Sequence, residues 1–177
     1  NVYRPADAKE TAASFKIALQ QTNTPCALLL TRQGIPILSL EEKTVYNGVS
    51  KGAYIIKDDD SPELIFLATG SEVSLALEVS KLMNDKRVRV VSMPCWELFD
   101  AQSKEYRDSI IPSRGAMKIS FEAGITLGWE RYIGPNGLSI GLDRFGASAP
   151  GKNLAEEFGF TPQKVSEKII NHLKKLL

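Results

Sequence analysis

Leu64-Ile65-Phe66-Leu67-Ala68 runs into Thr69-Gly70-Ser71 and then into Glu72 to Met83, and this stretch decides the fold class. An unbroken apolar run bounded by turn residues reads as a strand covered on both faces, since a strand with one wet face alternates polar and apolar positions. Val73, Ala76, Leu77 and Leu82/Met83 then return on one side of a helix. Strand, tight turn and helix in this order form the repeating unit of a parallel sheet with crossover helices.

The pattern continues in both directions. Downstream, Val88 to Met93, Ala116 to Phe121 and Leu138 to Leu142 read as strands. Pro94 opens a loop toward the aromatic cluster Trp96, Phe99 and Tyr106, and a Gly/Ser/Pro loop covers Gly146 to Gly151. Thr161-Pro162 is an N-cap followed by proline at the first helical position, and Val165, Ile169, Leu173 and Leu176 share one face of the last helix. Upstream, Ala53 to Ile56 reads as an edge or antiparallel strand, and Asp58-Asp59-Asp60-Ser61-Pro62 as a solvated turn. These elements predict a three-layer α/β/α domain with a mainly parallel sheet over residues 46–177.

Residues 1–45 do not make a domain by themselves. Asp7 and Glu10 stand at capping-box spacing before a helix marked by Ala8, Ala12, Phe15 and Leu19. Asn23-Thr24-Pro25 breaks it. Cys26 to Leu30 is a second unbroken apolar run, which predicts a strand buried on both faces and ending in the polar tip Thr31-Arg32-Gln33-Gly34. The weakly periodic stretch Ser39 to Ser50 reads as a linker.

Composition narrows the function classes. The chain has 177 residues, 43% hydrophobic and 24% charged, with a net charge of +1. That is a globular balance without the basic stripe of a nucleic-acid binder, and no apolar run is long enough to span a membrane as a helix. Cys26 and Cys95 lie far apart in sequence and read as reduced thiols in a cytoplasmic setting. His172 is the only histidine, so neither a His-centred metal site nor a catalytic triad is expected. Asn1 is not a methionine and the opening resembles no targeting peptide, so the chain is expected to have been cut from a longer one.

Three places invite chemistry, each with a plainer alternative. The Thr69-Gly70-Ser71 turn opens a helix and could present N–H groups to an anion. Equally, Ser71 or Thr69 could cap the helix while Glu72 complements its dipole. Glu122 ends a strand before Ala123-Gly124, as a catalytic carboxylate or as one accepting from loop N–H groups. Arg32 stands at the carboxyl edge of its strand, where a guanidinium suits phosphate or carboxylate, or forms an ordinary surface ion pair.

Several motifs, taken together, are similar to those of transketolases. Arg4-Pro5-Ala6-Asp7 with Glu10, Leu30-Thr31-Arg32-Gln33 and Ala68-Thr69-Gly70-Ser71-Glu72-Val73 match family signatures in order. Trp96-Glu97-Leu98-Phe99-Asp100, Glu122-Ala123-Gly124 and Phe145-Gly146-Ala147-Ser148-Ala149-Pro150 continue the series almost to the end of the chain. Pyruvate dehydrogenase and deoxyxylulose-phosphate synthase share the domain type, but the first and last of these motifs favour transketolase. The resemblance implies that residues 1–45 are the tail of a pyrimidine-binding domain and residues 46–177 a C-terminal domain. It implies transfer of a two-carbon ketol unit between sugar phosphates in a homodimer. Thiamine diphosphate and a divalent metal (Mg or Ca) would be held by other domains. Of the residues present, Arg32 matches the family's substrate-phosphate arginine, and no catalytic or metal-ligating residue is expected here. An effector site at Thr69, Gly70 and Ser71 remains an option. The competing expectations are a free-standing phosphate- or nucleotide-binding module and a purely structural dimerisation domain.

Overall fold

The computed structural model describes residues 1–176. Its main sheet has five strands: β3 (Tyr54–Lys57), β4 (Leu64–Ala68), β5 (Val88–Ser92), β6 (Met117–Phe121) and β7 (Leu138–Ile140). They lie in the order β3-β5-β4-β6-β7. β3 is an antiparallel edge and the other pairs are parallel, as the sequence predicts. A register shift between Ile55 and Lys57 bends β3, a common way of blunting a sheet edge.

The apolar run of β4 is buried along its whole length because each face meets a different layer. Leu64, Phe66 and Ala68 point into a core shared with α3 (Glu72–Leu82) and α8 (Pro162–Leu176). Ile65 and Leu67 point the other way, toward Phe99, Ile110, Trp129 and Ile133. Those residues come from or adjoin the short helices α4 (Trp96–Asp100), α5 (Lys104–Ile110) and α6 (Glu130–Ile133). Phe66 and Phe121 meet at 5.0 Å between ring centroids, and Trp96 stands edge-on to Trp129 at 4.7 Å. Full burial of such side chains stabilises by about 1.5–3 kcal/mol each. Helix α7 (Gly151–Glu157) follows the Gly/Ser/Pro loop, and the Thr161 carbonyl accepts the Val165 N–H at the start of α8.

The opening segment departs from expectation in three ways. β2 is only Ala27–Leu28, paired with β1 (Val2–Tyr3) in a separate two-stranded parallel sheet. Cys26 to Leu30 is therefore not a buried strand: Leu29 and Leu30 are each 51% exposed, because nothing among the described residues covers them. Helix α1 (Ala8–Gln20) forms, capped by the Asp7 carboxylate accepting the Glu10 N–H at 2.8 Å. Its buried face, however, is Glu10, Ala13, Ser14 and Ile17, while Ala8, Ala12, Phe15 and Leu19 lie outside. The stretch read as a linker is helix α2 (Glu42–Ser50), whose Val45 and Val49 bury in one core with Ala13, Ile17 and Tyr54. Gly48 makes this possible. A Cβ there would sit 2.2 Å from the Tyr54 ring, so only glycine lets α2 lie on β3.

Candidate functional site

Parallel strands end together, and the carboxyl edge of β4, β5 and β6 brings Thr69, Met93 and Glu122 side by side. Val2 and Arg4 of the opening segment cross this edge, enclosing a cleft of about 240 Å³ with Pro94, Trp96 and Glu97. The crossing is held by backbone bonds. The Arg4 N–H donates to the Pro94 carbonyl at 2.8 Å, and the Arg4 carbonyl accepts from the Gly70 N–H at 3.0 Å.

That contact bears on the Gly70 turn. The Thr69 N–H donates to the Phe121 carbonyl at 3.3 Å, and its hydroxyl donates to the Arg4 carbonyl at 3.4 Å. The Ser71 hydroxyl donates to Glu72 Oε1 at 2.8 Å and makes no capping bond to the helix. Two N–H groups that an anion would need are thus already engaged within the protein. Gly70 has φ +59, the left-handed region that favours glycine, which explains the residue without a ligand.

Glu122 is buried and doubly held. It accepts from Trp129 Nε1 at 2.6 Å and forms an ion pair with the Arg4 guanidinium. Its carboxylate is therefore a strut between β6, α6 and the opening segment, and its donors are the Trp129 indole and the Arg4 guanidinium rather than the loop N–H groups expected from sequence. Arg4 escaped the sequence reading as its partner because 118 residues separate them. A signal existed in the Arg-Pro-Ala-Asp motif, which puts an arginine just before a proline that stiffens its backbone.

A second buried carboxylate was also missed. Glu10 Oε1 accepts from the Tyr54 hydroxyl at 2.8 Å and the Ser92 hydroxyl at 2.6 Å, and Oε2 accepts the Ala6 N–H at 2.7 Å. Burial pushes its pKa up, and those three donors oppose the rise. The reciprocal half of the capping box thus reaches Ala6 rather than Asp7. The other Asp7 oxygen accepts the Leu38 N–H at 2.8 Å, so this short motif fastens α1, β3, β5 and the chain before α2 together.

Arg32 is exposed in the polar tip after β2 and makes no ion pair among the described residues. Its neighbour Gln33 packs against the start of α7, where a Cβ on Gly151 would lie 3.2 Å from the Gln33 amide nitrogen. The tip carrying Arg32 thereby lies beside Gly151, at the end of the Phe145–Pro150 loop. Arg32 and the Thr69–Ser71 turn do not share a cleft. Among the described residues no three His, Cys, Asp or Glu side chains gather in a metal-ligating group. No helix there is long and apolar enough to cross a membrane.

Comparison with known proteins gives the geometry a family. The model of the transketolase-like TK C-terminal domain matches residues 52–161. A transketolase of Geobacillus stearothermophilus is 46% identical over 169 residues, covering 93% of this chain and 25% of the relative. A transketolase variant from Pichia stipitis superposes with a TM-score of 0.89 at 38% identity, over 98% of this chain and 25% of that one. Transketolase from Leishmania mexicana does so with 0.88 at 40% identity, over the same shares. The chain thus spans about a quarter of the length of the proteins it matches. It belongs to the transketolase family, matching the family's C-terminal domain.

Proposed function

We propose that this chain works as the C-terminal portion of a transketolase that moves a two-carbon ketol unit from a ketose phosphate to an aldose phosphate. In this reading residues 1–45 finish a pyrimidine-binding domain, and residues 46–177 form the C-terminal domain of a cytoplasmic homodimer. Arg32 grips the phosphate of the substrate, as a guanidinium with no counter-ion among the described residues can. The observation that carries the proposal is the uncovered apolar surface of the opening segment. Ala8, Ala12, Phe15 and Leu19 line the outer face of α1, and Leu29 and Leu30 lead directly to Arg32. Apolar side chains at regular helical spacing facing outward mark a surface that other protein covers.

Thiamine diphosphate supplies the electron sink of ketol transfer when bound. The residues of this chain do not fit it: no metal-ligating group is present among the described residues, and the N–H groups of the Gly70 turn are spent on Arg4 and Phe121. No step is therefore assigned to cofactor contacts here. The test is calorimetric titration of the chain with thiamine diphosphate and Mg²⁺, beside a ketol-transfer assay. The chain alone is expected to give no saturable heat and no turnover, with both appearing once it is joined to the remaining transketolase domains. Saturable micromolar binding by the chain alone would overturn the reading.

A further inference from the structure

On the α5/α6 side of the sheet lies a cleft of about 720 Å³, within the range that small-molecule sites occupy. Lys118 of β6 lines it. Lys118 is the strand partner of Ile65 and so leaves the sheet on the side that Ile65 and Leu67 fill with apolar atoms. It is only 9% exposed. Among the described residues its ammonium makes one hydrogen bond, to the Ala116 carbonyl at 3.4 Å, and no ion pair. Its stem is buried while its ammonium reaches the cleft without an ion-pair partner among the described residues, and partial burial pulls its pKa down.

The groups around it supply more positive charge. Arg107 on α5 also lines the cleft, is exposed, and has no ion-pair partner among the described residues. Arg131 is already oriented, with Asp100 at 3.1 Å, the Tyr132 hydroxyl at 2.7 Å and its guanidinium 5.0 Å from the Trp96 ring centre. Lys104 is neutralised by Asp108. Among the lining residues, four cations face two carboxylates, and the two cations left without partners are Lys118 and Arg107. The cleft is also lined by Phe99 and Ile133.

We propose that this cleft binds a phosphate-bearing small molecule, its phosphate set between Lys118 and Arg107 and its apolar or ring portion against Phe99 and Ile133. A phosphate dianion matches the two unpaired cations and supplies the counter-ion that the partly buried Lys118 ammonium lacks among the described residues. The proposal stands independently of the transketolase reading.

The experiment is titration of the 177-residue chain with inorganic phosphate and with adenosine 5′-monophosphate, followed by backbone amide NMR and thermal melting. Saturable shifts centred on Arg107, Lys118, Ile133 and Gly134 are expected, tighter for the nucleotide than for phosphate. Lys118→Met and Arg107→Gln should each weaken binding at least tenfold. Without ligand, Lys118→Met should melt a few degrees higher, because it removes an unpaired buried charge while keeping the apolar stem. Added ligand should raise Tm in the wild type and not in Lys118→Met. Shifts that fail to saturate, or equal affinity in either variant, would overturn the proposal. So would a lower Tm for ligand-free Lys118→Met, which would make the lysine structural, or a second copy of the chain inserting a carboxylate into the cleft.

Discussion

Leu64–Ala68 and Cys26–Leu30 are both unbroken apolar runs, and the molecule treats them in opposite ways. The first lies between β5 and β6, with a helical layer on each face, and every residue is buried. The second pairs over two residues with β1 and leaves Leu29 and Leu30 in solvent. An apolar run states that a strand needs cover on both faces. It does not state that the same chain provides it. The contrast therefore separates a sheet covered on both faces from an opening segment whose outer surface is exposed, while the segment's root at Tyr3, Asp7 and Glu10 is firmly buried.

The largest effect that could break this contrast is Leu67→Ala, expected to cost about 2–5 kcal/mol in urea denaturation because it opens a cavity in a closed layer. A cost below 1 kcal/mol would mean that the sheet core is loosely packed. Glu10 sharpens the contrast at the segment's root. Its folded pKa is raised above the ordinary 4.5, so the native state holds the proton more tightly than the unfolded chain. The stability tied to Glu10 is then fully present below pH 4.5 and is lost as pH rises through the raised folded value, by about 1.4 kcal/mol per unit of the rise. Glu10→Gln should flatten that part of the stability–pH curve, and an unchanged slope would remove Glu10 from the account. The smallest effect belongs to Leu30→Ala, expected within 0.5 kcal/mol or so in the isolated chain. A loss comparable to Leu67→Ala would show that the second run is covered after all.

Much of the sheet domain was legible because its signals are local. Strand runs, the antiparallel edge and the Thr161-Pro162 start of α8 each depend on neighbours within a few residues. What escaped depends on distant partners. Glu10 is buried through Ser92, 82 residues away, so the face of α1 that carries Glu10, Ala13, Ser14 and Ile17 turns inward and the stripe of Ala8, Ala12, Phe15 and Leu19 turns out. Helix α2 looked like a linker because Ser39 to Ser50 is only weakly periodic, and its Gly48 is required by the ring of Tyr54. Glu122 is held by Trp129 and Arg4 rather than by loop N–H groups, and Arg4, 118 residues away, could not be found from sequence spacing. Lys118 carried no signal at all, since a lone lysine in a strand ordinarily faces water.

The central claim is that the exposed tip of the opening segment brings a substrate-phosphate arginine to a transketolase active centre. Its most direct test is Arg32→Ala in the transketolase that carries this chain, assayed on paired phosphorylated and unphosphorylated ketose donors. Loss of a charge-assisted phosphate contact is worth on the order of 1.5–3 kcal/mol, so kcat/KM should fall roughly tenfold to a hundredfold on phosphorylated donors and hold on the others. Equal losses on both kinds of donor would contradict the account and make Arg32 a structural residue.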